Sequence, residues 1–270
     1  MTITNQAREE LKKALRTSFT LVEPYSAQYR GDFARYLVTL EKVAAIPQAK
    51  TKRILDAGTG IALLPLALRI AGFVADGIDY YIFPETGNTM FGRAEIERLQ
   101  SVWKRNGLTV YKCDWTSPLP PAFFASADII VSDATIEHLK DPKIFLTNCR
   151  NALQHPGYLI LSTPNAATLL KRIRFLFGRS PNWPVAEFFA AGEAFTGHWR
   201  EYTLAELRTL CELSGFTVRK AENRDVLTPW KGAGGFRKNL RALISRLAFL
   251  VPSSRDMNFL VCETSISHAP

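Results

Sequence analysis

The stretch Arg53–Gly60 reads RILDAGTG, and the rest of the chain can be placed around it. A short apolar strand stops at Asp56, and Gly58 and Gly60 follow at once. Glycines at this spacing let the backbone turn sharply and come close to a ligand. The apolar run after the turn predicts a helix, and Pro65, which has no N–H to donate, belongs in its first turn. A strand, a glycine turn and a helix N-terminus together predict a ligand-binding cradle.

The residues of the turn distinguish between two kinds of ligand. The dinucleotide fingerprint G-x-G-x-x-G/A needs Gly or Ala at position 63, where this chain has Leu63. Asp56 would repel a pyrophosphate, whereas it suits a cationic ligand. The stretch resembles motif I of the class I S-adenosylmethionine-dependent methyltransferases, Asp-x-Gly-x-Gly, with Ala62 where that family commonly has a third glycine.

Further acidic residues follow the next two predicted strands. Asp79 ends the second strand, 23 residues beyond Asp56 (79 − 56), a spacing that suits hydrogen bonding to a ribose diol. In the resembled family an Asp after the third strand, here Asp114, takes the adenine amino group, and the next residue packs on the ring. Trp115 would offer an indole for that stacking. The cofactor-binding residues that the resemblance implies are Asp56, Gly58, Thr59, Gly60, Asp79, Tyr80, Asp114, Trp115 and Asp133.

The centre of the chain carries a second resemblance. Four stretches are similar to one branch of the family: the run Ile136–Leu139 (IEHL), a predicted turn at His155–Gly157, the run YLILSTPN that contains the predicted fifth strand Tyr158–Ser162, and the later His198–Thr203 (HWREYT). That branch contains methyltransferases that act on small molecules, isoprenoid quinone precursors and bacterial glycans. Together with motif I, the resemblance extends over about residues 52–218.

The alternation of strands and helices predicts an α/β protein with a doubly wound, Rossmann-like sheet of seven strands. The resemblance implies the strand order 3-2-1-4-5-7-6 with the last strand antiparallel, and a ligand at the carboxyl ends of strands one to three. We divide the chain into N-terminal helices that cover the cleft (1–50), a cofactor-binding core (51–165), an aromatic lid insertion (166–200), and the C-terminal part of the core (201–270). A helical insertion is predicted at about 228–252.

The acceptor side is predicted from the histidines and the aromatic insertion. His138 follows the fourth strand, near where the methyl group must point, so it is the first candidate for a catalytic base and His198 is the second. A second interpretation is that His138 only fixes its loop, because many methyl transfers need positioning alone. The insertion is either a lid over the acceptor or an extra packing layer. We expect Trp183, His198 and Tyr202 on the acceptor side, and no metal.

The leading functional hypothesis is methyl transfer from S-adenosylmethionine to the oxygen of a small-molecule, glycan or lipid-linked acceptor. A catalytically silent, cofactor-binding relative is an alternative. A nucleic-acid methyltransferase is a third, but Asp133–Ile136 (DATI) stands where amino-methylating enzymes of that type carry Asn/Asp-Pro-Pro-Tyr/Phe. A nicotinamide oxidoreductase is the weakest hypothesis, because of Leu63 and Asp56.

Composition limits the cellular setting. No apolar run approaches the roughly 18 residues of a membrane span, and the N-terminus lacks the apolar region of a signal peptide. The four cysteines form no C-x-x-C pair, which favours reduced thiols and a cytoplasmic location. The net charge of +9 permits an anionic partner.

A basic, amphipathic stretch near the C-terminus leaves two interpretations open. Apolar residues from Phe236 to Leu250 fall on one helical face, and Arg237 and Arg241 are among the basic residues that flank it. Such a helix either packs on its own domain, or lies on an anionic membrane surface, which would place the protein peripherally at the inner membrane. A second basic run, Lys171–Arg174, adds to the surface interpretation.

Overall fold

Seven strands form the central sheet of the protein, whose computed structural model describes residues 3–84, 91–192, 195–226 and 251–264. Across this described part the strand order is β3-β2-β1-β4-β5-β7-β6. The first five strands pair in parallel, and β7 is antiparallel to both β5 and β6. The predicted doubly wound sheet is therefore confirmed. The strands are β1 (Arg53–Ala57), β2 (Val74–Asp79), β3 (Val110–Lys112), β4 (Ala127–Asp133), β5 (Leu153–Pro164), β6 (Phe216–Arg224) and β7 (Met257–Thr264).

Helices cover both faces of the sheet, because successive strand residues point to opposite sides. Ile54 packs into one buried apolar cluster with α1, α2, α3 and α4, whereas its neighbour Leu55 packs into a second cluster with α5 and α8. The described helices are α1 (Asn5–Leu21), α2 (Phe33–Ala44), α3 (Leu63–Ile70), α4 (Arg93–Arg105), α5 (Pro142–Ala152), α6 (Leu169–Leu176), α7 (Val185–Ala191) and α8 (Leu204–Leu213).

The turn between β1 and α3 has the conformation that its glycines permit. Gly58 and Gly60 have φ of 81° and 54°, and Ala62 at the helix N-cap also has a positive φ of 64°. A Cβ at Gly58 would lie 2.5 Å from side-chain atoms of Thr135, so the turn closes directly on the loop after β4. α3 begins at Leu63, as the position of Pro65 predicts.

The fifth strand is longer than the sequence predicts. The expected turn at His155–Gly157 lies inside β5, where Leu153 pairs with Ala127 and Tyr158 pairs with Ile129, so the residues between form an irregularity in the strand. The strand begins earlier than predicted because Leu153, which precedes the proline, already pairs with Ala127 on β4. The predicted amphipathic helix from Phe236 to Leu250 lies outside the described residues.

A buried ion pair joins the N-terminal helices to the sheet. Arg35 Nη1 on α2 lies 2.5 Å from Asp133 Oδ1 at the end of β4, and the two side chains are only 7% and 2% exposed. Thr39 donates to the other Asp133 oxygen at 3.3 Å, and Ser162 on β5 donates to Oδ1. α1 packs on α3, so residues before β1 are held against the same edge of the sheet as the glycine turn.

We expect Arg35→Ala to lower the free energy of unfolding by about 3–5 kcal/mol, because it leaves the Asp133 carboxylate buried without its cation. Arg8→Ala is the matched control, since Arg8 pairs with Glu41 at 2.6 Å while half exposed, and exposed pairs contribute about 0–1 kcal/mol. Urea denaturation without cofactor measures both. Asp133→Asn, added to Arg35→Ala, should recover part of the lost stability, because it removes the unpaired charge. Equal small losses in Arg35→Ala and Arg8→Ala would contradict a contribution of the Arg35–Asp133 pair to stability.

Candidate active site

A cleft opens at the carboxyl ends of β1 and β4, beneath the N-terminal helices. It combines buried carboxylates and tyrosine rings with the backbone of the glycine turn. This is the edge of the sheet at which the sequence predicts a ligand. The residues that line it are Tyr29, Arg35, Tyr36, Asp56, Gly58, Thr59, Gly60, Ile61, Leu63, Leu64, Asp133 and Ala134.

Asp56 is a buried carboxylate in the floor of this cleft, 2% exposed. Its Oδ2 accepts a hydrogen bond of 2.7 Å from Thr59 Oγ1. Burial, together with the negative charges of Asp133 and Asp79, raises the pKa of Asp56 to about 7. A cationic group bound beside it would favour the ionised form, so the site is electrostatically suited to a positively charged ligand.

Asp79 ties the end of β2 to the glycine turn. Its Oδ2 accepts from the Gly60 backbone N–H at 2.8 Å, and its Oδ1 accepts from the Ile82 N–H at 3.1 Å. Burial raises the pKa of Asp79, and these backbone donors oppose that shift. Tyr80 follows it, half-buried, with its ring centroid 5.5 Å from that of Tyr81. The predicted pair Asp56 and Asp79 is thus brought to one end of the sheet.

The loop after β3 differs from the expected adenine site. Asp114 accepts from the Thr116 N–H at 2.8 Å and from its hydroxyl at 2.6 Å, so part of its carboxylate is used within the loop. Trp115 is only 5% exposed, and its ring packs 6.3 Å from that of Phe145 in the core cluster with α5. As a correction, the indole contributes to the core and presents little surface for stacking, because α5 covers it.

The predicted acceptor-side residues fall into two groups. The rings of His138 and His198 meet edge to face, with centroids 4.8 Å apart, and Trp183 lies 5.4 Å from His198. The His138 Nδ1 lies 2.9 Å from the carbonyl oxygen of Thr196, so the insertion folds back over the turn after β4. Tyr202, by contrast, is 2% exposed and packs in the core cluster, which corrects its placement on the acceptor side.

The polar contacts around the histidine pair join residues whose partners the sequence does not predict. Glu137 is fully buried, its Oε2 accepts from Thr163 Oγ1 at 2.8 Å, and burial raises its pKa. His198 Nδ1 lies 2.9 Å from Glu201 Oε1, and Lys171 forms an ion pair with the same carboxylate. Burial, His138 and Lys171 lower the pKa of His198 to about 4, so its imidazole is neutral at pH 7.

The cleft, the glycine turn and the sheet order define a methyltransferase domain of the Rossmann-like class. Residues 26–221 match the family described as Methyltransferase domain, which covers more than half of the chain. The chain belongs to this family. The matched part is an S-adenosylmethionine-dependent methyltransferase domain.

Curated relatives match part of the chain in sequence. A protein of Mycolicibacterium smegmatis, named a probable S-adenosylmethionine-dependent methyltransferase, is 37% identical over 117 residues, 43% of this chain and 36% of the relative. A Mycobacterium tuberculosis protein of the same description is 36% identical over 99 residues, 37% of this chain and 29% of the relative. The matched segment thus spans about a third of the length of these curated relatives.

Solved structures show the same fold at low sequence identity. A chain of the Haloferax volcanii complex between the Trm112 methyltransferase activator and a methyltransferase gives a TM-score of 0.61 at 15% identity, covering 91% of this chain and 96% of that one. An S-adenosylmethionine-dependent methyltransferase from Archaeoglobus fulgidus gives 0.53 at 18% identity, covering 89% and 98%.

We expect the affinity for S-adenosylhomocysteine to fall as the pH drops below about 7, since Asp56 must lose its proton to face a ligand ammonium. The sign follows from linkage: the ligand favours the carboxylate, so each pH unit below the raised pKa weakens binding by up to about tenfold. Calorimetry between about pH 7.5 and about pH 5.5 measures how the affinity changes with pH. The α-ammonium of S-adenosylhomocysteine is charged for most of that range. Asp56→Asn should bind S-adenosylhomocysteine weakly, with an affinity that does not change with pH over this range. The same pH dependence in Asp56→Asn as in the wild type would contradict a role of Asp56 in binding the ligand ammonium.

Proposed function

We propose that the whole protein transfers a methyl group from S-adenosylmethionine to a hydroxyl oxygen of a small-molecule, glycan or lipid-linked acceptor. The observation that carries the proposal is the buried Asp56 beside the glycine turn, in a cleft that favours a cationic ligand. S-adenosylmethionine carries both an ammonium and a sulfonium charge. A nicotinamide dinucleotide would instead place a pyrophosphate against this carboxylate.

Each part of the cofactor has a proposed partner in the cleft or at the neighbouring strand ends. Asp56 takes the ammonium of the methionine part, and the backbone of Gly58–Gly60 packs closely against the same part because positive φ angles turn it toward the cleft. Asp79 takes the ribose diol at the end of β2. Asp114 in the loop after β3 takes the adenine end, and Tyr80, the residue after Asp79, is proposed to contact the nucleoside.

The reaction needs alignment more than it needs activation of the donor. The acceptor oxygen attacks the methyl carbon, the carbon–sulfur bond breaks, and its electron pair stays on sulfur to give neutral S-adenosylhomocysteine. The acceptor O–H gives up its proton, so the products are the methyl ether, S-adenosylhomocysteine and one proton. Alignment of oxygen, carbon and sulfur, together with exclusion of water, supplies much of the acceleration.

His138 is proposed to assist that loss of a proton. A carbonyl oxygen can only accept, so His138 Nδ1 must carry hydrogen where it faces Thr196 and Gly197 at 2.9 and 3.2 Å. The neutral ring then has its lone pair on Nε2. An imidazole with a free lone pair is a suitable group to draw a proton from a hydroxyl near neutral pH.

Exposed apolar side chains on α6 and α7, in the same insertion as Trp183, support an amphiphilic or lipid-linked acceptor. Phe175, Leu176 and Phe177 at the end of α6 are 70%, 80% and 75% exposed, and Phe189 on α7 is 86% exposed. Patches of this kind mark contact sites. Exposed arginines accompany it at Arg172, Arg174 and Arg179.

We propose that this apolar and basic surface contacts an anionic membrane peripherally, because exposed rings can enter the headgroup region while arginines face the lipid charge. No helix in the described part of the chain is long and apolar enough to cross a membrane. Contact at the surface would bring the insertion, with His198 and Trp183, next to a lipid-linked acceptor.

We expect Asp79→Ala to weaken S-adenosylhomocysteine binding by about 1.5–3 kcal/mol, the scale of hydrogen bonds to a charged group. Asp128→Ala is the control, because Asp128 also accepts a backbone N–H, from Arg53 at 2.8 Å, but it lies at the opposite end of β4. Methyl transfer to extract components from a labelled cofactor tests turnover. Unchanged binding in Asp79→Ala would contradict the cofactor assignment, and binding without any methyl transfer would favour the catalytically silent alternative.

We expect the protein to sediment with vesicles of neutral and anionic phospholipids at low salt, and to be released as salt screens the arginines. Phe177→Ser with Phe189→Ser should abolish sedimentation, because it removes the rings that insert. Leu213→Ser is the matched control, since Leu213 on α8 is 81% exposed outside α6 and α7. Equal loss of binding in the control, or no binding by the wild type, would contradict the surface assignment.

A further inference from the structure

Three potential metal ligands meet where the insertion folds over the turn after β4. One ligand atom from each of Glu137, His138 and His198 lies within 4.8 Å of the other two. We propose that these residues form a binding site for a divalent transition-metal ion of the zinc class. The site joins two segments of the chain, since Glu137 and His138 follow β4 and His198 belongs to the stretch before α8.

The two histidines are already held in the manner of metal ligands. His138 Nδ1 faces the carbonyl oxygen of Thr196 at 2.9 Å, and His198 Nδ1 faces Glu201 Oε1 at 2.9 Å. A histidine that binds metal through one nitrogen characteristically donates from the other to a carbonyl or a carboxylate, which fixes the ring and its tautomer. Both Nε2 atoms therefore remain as the donors for an ion.

Glu137 supplies an independent observation. Its side chain is fully buried and its Oε2 accepts from Thr163, but its Oε1 has no hydrogen-bond partner among the described residues. Buried polar atoms are nearly always satisfied, so a lone carboxylate oxygen beside two imidazoles calls for a cation or a donor.

Lys171, a cation of the same insertion, has other partners. Lys171 forms its ion pair with Glu201 and lies 3.3 Å from the carbonyl oxygen of Asn165. Glu201 in turn holds His198, so Lys171 stabilises the carboxylate that orients one ligand and does not occupy the ligand position itself. A metal ion would supply the direct partner that Glu137 Oε1 does not have among the described residues.

The backbone fixes the two halves of the site relative to each other. The Glu137 carbonyl oxygen accepts from the Trp199 N–H at 2.8 Å and from the Arg200 N–H at 3.3 Å. These bonds hold the segment of His198 directly against the turn that carries His138. Zinc holds nitrogen and oxygen ligands at about 2.0–2.2 Å, so binding would draw the three donors closer together.

The donor set favours zinc over magnesium or calcium. Two imidazoles and one carboxylate are typical of zinc and non-haem iron sites, whereas magnesium and calcium prefer oxygen ligands throughout. Three protein ligands also leave a fourth position open in tetrahedral geometry. In a catalytic zinc site that position holds water or substrate.

The consequence for catalysis rests on the proposed function. An acceptor hydroxyl bound at the open position would lose its proton to solvent more readily, because the metal stabilises the resulting oxygen anion. That oxygen then attacks the methyl carbon, and the carbon–sulfur electron pair leaves with sulfur. In this scheme His138 would be a metal ligand, and the metal ion, in place of a base, would promote loss of the proton.

The test is a titration of chelator-treated protein with Zn²⁺ in competition with a chromophoric chelator, without cofactor or acceptor. We expect one equivalent to bind, and His198→Ala to weaken that binding by about 100-fold or more, since loss even of a supporting partner costs 10–100-fold. His155→Ala is the control, because His155 is exposed on β5 away from the cluster. Co²⁺ absorption in the visible range then reports the geometry of the site.

Glu137→Gln serves as a second variant, and its folding is checked by circular dichroism and thermal unfolding. It should lose zinc affinity while keeping the shape of the residue. Absence of stoichiometric binding in the wild type, or equal affinity in His198→Ala and His155→Ala, would overturn the site. Because the readout is metal binding alone, that failure leaves methyl transfer with His138 as base intact, whereas Asp79→Ala should bind zinc normally even if the cofactor assignment fails.

Discussion

Three carboxylates, those of Asp56, Asp79 and Asp133, converge at the carboxyl edge of the sheet. The rest of the site depends on how their negative charge is compensated. Asp133 has a resident cation in Arg35, which is brought to it by the N-terminal helices. Asp56 accepts a hydrogen bond from the hydroxyl of Thr59, and burial raises its pKa to about 7 despite the opposing charge of Arg35. Asp133 is thus paired with a buried cation, whereas the charge of Asp56 is compensated less directly, which is why we propose that a cationic ligand binds there.

That division explains why the N-terminal segment belongs to the active site as well as to the core. Arg35 and Thr39 reach Asp133 from α2, and Tyr29 from the turn before it lines the same cleft. The same segment therefore contributes lining residues to the cleft and the cation that pairs with Asp133.

The glycine turn and the Asp56–Asp79 pair could be predicted from the sequence, because strand ends, glycines and spacing are local features. The strand order came from the family resemblance, and the structure confirms it. Arg35 carries no such signal, since its partner lies 98 residues away. Trp115 was expected to present a stacking surface, but exposure depends on what packs against a ring, and α5 covers this one. The pairing of His138 with His198 depends on how an insertion folds back, which periodicity does not predict.

We propose that Asp56 is a buried carboxylic acid below about pH 7 and becomes ionised when a cationic cofactor binds. Calorimetric titration with S-adenosylhomocysteine at about pH 6, in buffers of different ionisation enthalpy, measures the protons released on binding directly. We expect close to one proton to be released, and close to none from Asp56→Asn. Release of no proton by the wild type, at an affinity equal to that near pH 8, would contradict the claim.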